Sequence, residues 1–550
     1  MTLFQRRLFM LFFVALFLLT APLVIFMARG YHFDRLSGVF VHSGAVTIKS
    51  LPRDINIYIN GKKQDKGSLS LINGAYTINW LRPGKYTIRC EKEGYTSWEK
   101  TISVHSGIST EFWNVLLFPK AEQELKSYVT ENVKSFFVSP REEGEIIFLS
   151  EEENTRKVFL LNTQERIVRE IYATQELEFL PPDKEENIEW SSDNQRILIP
   201  FWQPKTQTRE YVLARVKREG LRDFLSLSQL LNQGQLELPN SPLQSSPESP
   251  RDSSEIASEP DSQSEIETPL SPEKSPLEIK QARWMFDENK ELVILTTDHQ
   301  LYYLNIENPQ EKILLAEEVS GFDFAGDRIY YSQLPNNIVW EIKRNDVGSK
   351  EQITTTPIEA PSSGFLKIIT YDQYRIALLN SQEDLFVFNN EKETGEISME
   401  KTASGVKGIQ FSNDGKKLLY WTDNEIWTLM LRDWEVQPIR EKGQKLFLTR
   451  FSTPLHNVQW LDNYEHVLFS TGQEVKVVSL DLRGQAIIMD ATQGEWNFPE
   501  KSIIYDKESQ LLYFQDIKQV AQDSSPDESE NSLQLKSMLL IDRPAFLLGF

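Results

Sequence analysis

The chain has 550 residues, more than one ordinary domain needs and enough for two or three. With 40% apolar and 25% charged residues, most of it has the means to bury a core. The formal charge of −21 divides into +8 over residues 1–120 and −29 beyond, which argues against nucleic acid as a partner, since phosphate binding needs a basic face. A single cysteine, Cys90, excludes an intramolecular disulfide and a cysteine-based zinc site, and leaves the redox compartment open.

Residues 1–30 read as a cytoplasmic tip and a transmembrane signal-anchor helix. Leu8 to Ala28 is uncharged, and about 21 residues at about 1.5 Å each reach roughly 30 Å, one hydrocarbon core. Pro22 lies inside and is tolerated in a spanning helix. Arg6 and Arg7 precede the stretch and place the N-terminus in the cytoplasm by the positive-inside rule, with Arg29 and Arg35 weakening the bias. The expectation is a single-pass membrane protein with its bulk extracytoplasmic. The run is longer than a secretory h-region, so retention is expected over cleavage at Ala28-Arg29-Gly30. Residues 31–43 read as a linker.

Residues 44–119 read as strands and tight turns. Ile55 to Ile59 alternates, and Asn60-Gly61 follows as a hairpin turn in which both residues accept positive φ. Tyr76 to Leu81, Lys85 to Cys90 and Thr96 to Val104 are further strands, with Pro83-Gly84 turning the chain. Tyr58, Tyr86 and Tyr95 are expected to fill the core. Ile48-Lys49-Ser50-Leu51-Pro52, Ile57-Tyr58-Ile59-Asn60-Gly61-Lys62, Leu81-Arg82-Pro83-Gly84-Lys85-Tyr86 and Glu93-Gly94-Tyr95 together resemble a PEGA domain. The naming tetrapeptide is mostly replaced, by Pro52-Arg53-Asp54-Ile55. The resemblance covers about one seventh of the chain. It implies a small β-sandwich-like module of bacterial envelope type, a spacer or surface-binding unit with no catalytic residues. Lys62, Lys63, Lys66, Arg82 and Lys85 are the candidate contacts to an anionic surface, wall polymer or lipid headgroup.

From residue 120 to 550 one pattern recurs: a strand ending in an aromatic, a polar turn often carrying Asp, then two further strands. Copies start near Phe137, Trp190, Trp284, Phe322, Phe365, Phe411, Trp460 and Ile503. Steps of about 40–50 residues with several strands per copy are the signature of β-propeller blades, seven or eight here. Phe411-Ser412-Asn413-Asp414-Gly415-Lys416-Lys417-Leu418 resembles the strand-turn of degenerate tryptophan–aspartate-repeat-like and TolB-like propellers. Asp193 and Asp414 are expected to cap turns rather than bind metal. Residues 239–276 are rich in Pro, Ser and Glu and read as a disordered insertion; 522–532 read as a shorter disordered loop. The strand after it, Leu533 to Ile541, is expected to complete the first blade.

The six histidines, His32, His42, His105, His299, His456 and His466, form no short metal-ligand spacing. Neither a Gly-x-Ser-x-Gly elbow nor a phosphate loop is present, and Ser271-Pro272-Glu273-Lys274 falls in the insertion. The expectation is an all-β, non-enzymatic, membrane-anchored envelope protein without cofactor or metal. Its partners are the membrane, through one N-terminal helix, and a protein or glycan on the propeller face. The alternatives are an envelope sensor or assembly factor, and a propeller-based hydrolase acting on glycan or peptide.

Overall fold

The structure is a computed structural model. It describes residues 3–34, 38–64, 74–120, 125–129, 132–140, 144–181, 186–216, 224–233, 275–285, 289–344, 346–355, 357–358, 365–390, 399–462, 464–492, 502–517 and 533–541. Lys66, the insertion up to residue 274 and the loop 522–532 lie outside the described residues. Two compact units are present, residues 1–175 with 320–550, and residues 176–319.

The first unit opens with an α-helix, Leu3–Ala28. From Leu8 onward it is apolar all round, and from Phe4 to Met27 it is long and apolar enough to cross a membrane. The Thr20 hydroxyl donates to the Leu16 carbonyl at 2.8 Å, so its polar group is satisfied within the helix. Gly30, at φ +87°, ends the helix, and its amide donates to the Met27 carbonyl at 3.0 Å. A short antiparallel hairpin follows where the sequence suggests only a linker: Tyr31–Asp34 pairs with Val39–His42.

Residues 44–116 form two sheets. In the first, Gly44–Leu51 is central, antiparallel to Tyr76–Leu81 and parallel to Ser109–Leu116. The second runs Lys62–Lys63, Asn56–Ile59, Gly84–Glu91, Trp98–Val104, all antiparallel. The expected turn is present, with Asn60 at φ +48° and Gly61 at φ +76°. Inward positions of both sheets, among them Val46, Ile48, Ile57, Ile88, Cys90, Ile102 and Phe112, make the core. Tyr86 and Tyr95 pack against it as expected. Tyr58 does not: strand alternation puts it on the outer face, beneath the Arg89 guanidinium at 5.0 Å.

Beyond the small domain the first unit contains, among the described residues, six four-stranded antiparallel sheets. Five are local meanders, such as Gly408–Phe411, Lys417–Trp421, Glu425–Met430 and Lys445–Arg450. The sixth is built from both ends of this stretch: Ile503–Asp506, Leu511–Ile517, Leu533–Leu539, then Lys126–Val129 on the edge. The early strand thus completes the last sheet, the reverse of the expectation that the last strand completes the first. Both ends make equivalent edges in sequence, and only pairing decides between them. The second unit carries a nine-stranded sheet of two meanders, joined by the single pairing of Arg209 with Ile279. The repeats starting near Phe137, Trp284, Phe322, Phe365, Phe411, Trp460 and Ile503 begin on the first strand of successive sheets or meanders, Trp190 lies on the short side strand Glu189–Trp190, and this serial arrangement of antiparallel sheets is a β-propeller.

Candidate functional site

Strand alternation in Trp98–Val104 buries Trp98, Lys100, Ile102 and Val104 and exposes the residues between them. A lysine therefore occupies a core-facing slot, with its side chain 0% exposed. Its ammonium meets the Asp481 carboxylate at 3.3 Å and the Asp481 carbonyl, on the loop that follows the propeller strand Glu474–Ser479. Asp481 is shared. Arg483 grips the same carboxylate through Nε at 3.1 Å and Nη2 at 2.7 Å, and donates to the Glu111 carbonyl at 2.7 Å. Its plane covers the Phe112 ring at 4.6 Å. Gln437 donates to the Ser109 carbonyl at 2.8 Å and accepts from the Glu111 amide at 3.1 Å, continuing the edge of the small domain's strand with a side-chain amide.

A second buried ion cluster lies next to the first. Arg440 forks onto Glu465 at 3.0 and 2.9 Å and donates to the Leu480 carbonyl at 3.1 Å. Lys417 reaches the same carboxylate at 2.5 Å, with the Trp434 ring at 4.2 Å from its ammonium. Burial pushes the Lys100 and Lys417 ammonium groups down from their ordinary value, and their carboxylates only partly restore them. Burial would raise Asp481 and Glu465, but the cations around them outweigh it and hold both carboxyls below the usual range.

Apolar packing joins the same two parts. The core of the small domain continues into Leu461, Leu468, Val477, Ile503, Leu512 and Phe514 of the propeller sheets. Beside the ion pairs lies a cleft of about 710 Å³, lined among others by Lys85, Ser103, His105, Thr110, Arg483 and Gln485. Among the described residues no carboxylate lines it; cations, hydroxyls and amides do, together with Ile102 and Ile108.

Of the sequence-predicted contacts that are described, only Lys85 lines this cleft. Lys63 pairs across from Tyr58, on the same outer face as Lys85, whereas Lys62 pairs across from the core residue Ile59 and projects from the other face. Arg82 sits at the turn, its carbonyl accepting the Tyr86 hydroxyl at 2.8 Å. Of the four described residues, Lys63 and Lys85 thus share one face and Lys62 projects from the other. Sequence reading missed Lys100, Gln437, Asp481 and Arg483. Lys100 had a usable signal: it is a charge in the apolar phase of an alternating strand. Asp193 and Asp414 cap their turns as expected, accepting from Ser191 at 2.7 Å and the Gln195 amide at 3.1 Å, and from Ser412 at 2.6 Å and the Lys416 amide at 3.0 Å. Among the described residues no group of His, Cys, Asp and Glu is placed to hold a metal ion.

Residues 43–116 match the PEGA domain family. No curated protein sequence matches the chain. Solved structures similar to it include the propeller domain of Cps50 (Swd1) from Myceliophteria thermophila, at 13% identity and TM-score 0.36, covering 74% of this chain and 99% of that one. The Dos1 propeller is similar at 11% identity and TM-score 0.44, covering 77% and 96%. The propeller domain of the Trilobed protease from Pyrococcus furiosus is similar at 11% identity and TM-score 0.31, covering 67% and 95%. The fit of residues 43–116 to one family, together with the serial four-stranded sheets that follow, makes this a chain with a PEGA domain and a β-propeller.

Proposed function

We propose that this is a non-enzymatic, single-pass membrane protein of the cell envelope, with its N-terminus cytoplasmic and its propeller, of seven or eight blades, presented outside as an interaction platform. The PEGA domain is the mount of that platform. The observation that supports this reading is the junction: a shared core and the buried Lys100–Asp481 ion pair join the domain to the propeller sheets of the same unit. A freely swinging spacer would have no use for a buried lysine. The perturbed charged groups there serve one another as ion-pair partners, which suits a rigid joint better than proton transfer. The partner of the propeller is a protein or glycan, and Lys62, Lys63, Lys66, Arg82 and Lys85 supply contacts to anionic wall polymer or headgroups.

Protease added outside spheroplasts should digest the propeller and leave the N-terminal tip intact. Protection of the propeller would overturn the orientation. Hydrolysis of glycan or peptide substrates by the purified protein, abolished by one substitution in the junction cleft, would overturn the non-enzymatic reading in favour of a hydrolase.

A further inference from the structure

The hairpin after the helix exposes large apolar side chains that a water-facing linker would not carry. Phe33, Val39 and Phe40 are 53%, 55% and 50% exposed. Trp80 and Ile108 of the small domain add two more, at 48% and 55%. These residues are not scattered along a loose tether. The Phe26 ring, in the last turns of the helix, lies against Tyr31 at 4.4 Å and Phe40 at 5.7 Å, and Phe40 lies against Phe33 at 5.4 Å. His32, on the other face of the hairpin, lies against Trp80 at 5.0 Å. Ring contacts therefore join one face of the hairpin to the end of the helix and the other face to the small domain.

The backbone holds this surface at the helix end. His42 Nε2 hydrogen-bonds the Arg29 carbonyl at 2.8 Å, and the Ser43 amide donates to the Gly30 carbonyl at 2.8 Å. The Gly107 amide donates to the Ser43 carbonyl at 2.9 Å, which draws in the loop that carries Ile108. A Cβ on Gly107 would stand 2.9 Å from His42 Nε2, so the loop needs glycine to come this close, and its φ of +74° needs it as well.

Aromatic rings with a polar edge, just beyond a spanning apolar helix, are the composition of a membrane–water interface layer. We propose that the paired strands Tyr31–Asp34 and Val39–His42, with Trp80 and Ile108, form a membrane-seated foot. Its aromatic side chains lie in the interfacial layer of the bilayer that the helix spans, and the PEGA domain rests on the membrane instead of standing off it. This rests on the reading of the helix as a membrane anchor.

Spin-label depth measurements test both and separate them. Cys90 is buried, and a Cys90→Ala background leaves single cysteines to be placed in the full chain, reconstituted in bilayers of phosphatidylcholine and phosphatidylglycerol. Phe40→Cys and Val39→Cys label the two faces of the hairpin. Leu16→Cys marks the helix, and Asp423→Cys, on an exposed propeller turn, marks water. The foot requires the hairpin labels to be several-fold less accessible to a soluble nickel chelate than position 423, and more accessible than position 16. Hairpin labels that match position 423, with position 16 in hydrocarbon, overturn the foot and leave the anchor standing. Position 16 in water overturns both. Dipolar coupling between hairpin labels of different molecules would assign the apolar surface to a second copy and also overturn the proposal.

Discussion

Lys100 sets the character of the junction because its charge has nowhere to go. Removing one partner of a buried pair leaves an uncompensated ion, at a cost of about 3–5 kcal/mol. The two partners are not equivalent here. Asp481 keeps the Arg483 fork if Lys100 is lost, whereas Lys100 has no other carboxylate among its ion pairs. Asp481→Asn should therefore destabilise the protein by ~3–5 kcal/mol in urea unfolding, and Lys100→Met clearly less; equal losses would mean the carboxylate and ammonium are not paired in solution. His466 gives the pH dependence. It is fully buried, and burial pushes its pKa from 6.5 down to about 4. The folded protein keeps it neutral while the unfolded chain takes up a proton, so its contribution is complete above pH 6.5 and is lost as pH falls from 6.5 towards 4. The loss is on the order of 3 kcal/mol. The depressed carboxyls Glu465 and Asp481 extend it further into acid, below their ordinary values of 4.5 and 3.8. A His466→Gln variant should show a flatter urea midpoint between pH 6.5 and 4, and an unchanged slope would show that His466 is not the group responsible.

At the scale of elements, periodicity carried most of what could be read. Alternation in Ile55–Ile59 and Lys85–Cys90, the Asn60-Gly61 turn and the recurring aromatic-ended strand all have local physical causes, and all reappear as pairings. The parallel pairing of Gly44–Leu51 with Ser109–Leu116 was not legible, because strands so far apart in sequence leave no local mark of their register. The hairpin of Tyr31–Asp34 and Val39–His42 was missed since each strand is only four residues long and the second, Val-Phe-Val-His, does not alternate in polarity. The loop after Glu474–Ser479 was missed for a different reason: its glycine answers to a neighbour, not to its own turn. At Gly484, φ is +75° and a Cβ would stand 2.4 Å from the Thr101 carbonyl. At Gly472, φ is +57° and nothing lies within 4 Å. Gly472→Ala should thus cost only the left-handed strain, about 1–2 kcal/mol. Gly484→Ala should cost more and also loosen the loop that carries Asp481 and Arg483. Equal melting temperatures for the two variants would show that the close approach at Thr101 does not hold the junction.

On the scale of the first unit, the question is whether the PEGA domain folds as an appendage or as part of the propeller. A basic module followed by an acidic repeat suggests two separable pieces, and composition says nothing about the surface between them. The core, however, runs from Ile88 and Phe112 into Leu468, Leu512 and Phe514 beside the buried Lys100–Asp481 pair, and Lys100 finds its counter-charge on the propeller loop. Exposing either half alone would open apolar surface at about 25 cal/mol per Å² and strand the buried lysine, so the two should unfold in one transition. Cys90 reports on the PEGA side. It is buried, and burial with Glu91 nearby pushes its thiol up to about 12, so it is inert to thiol reagents until the domain opens. A Leu512→Cys substitution in a Cys90→Ala background reports on the last propeller sheet, where Leu512 is fully buried. Pulse labelling across a urea series should expose positions 90 and 512 at the same midpoint. Replacing Arg483 with Ala should lower both together, since it breaks contacts to Asp481 and Glu111 at once. Labelling of Cys90 at a lower urea concentration than position 512 would make the PEGA domain an independent folding unit, and the mount would then be a hinge.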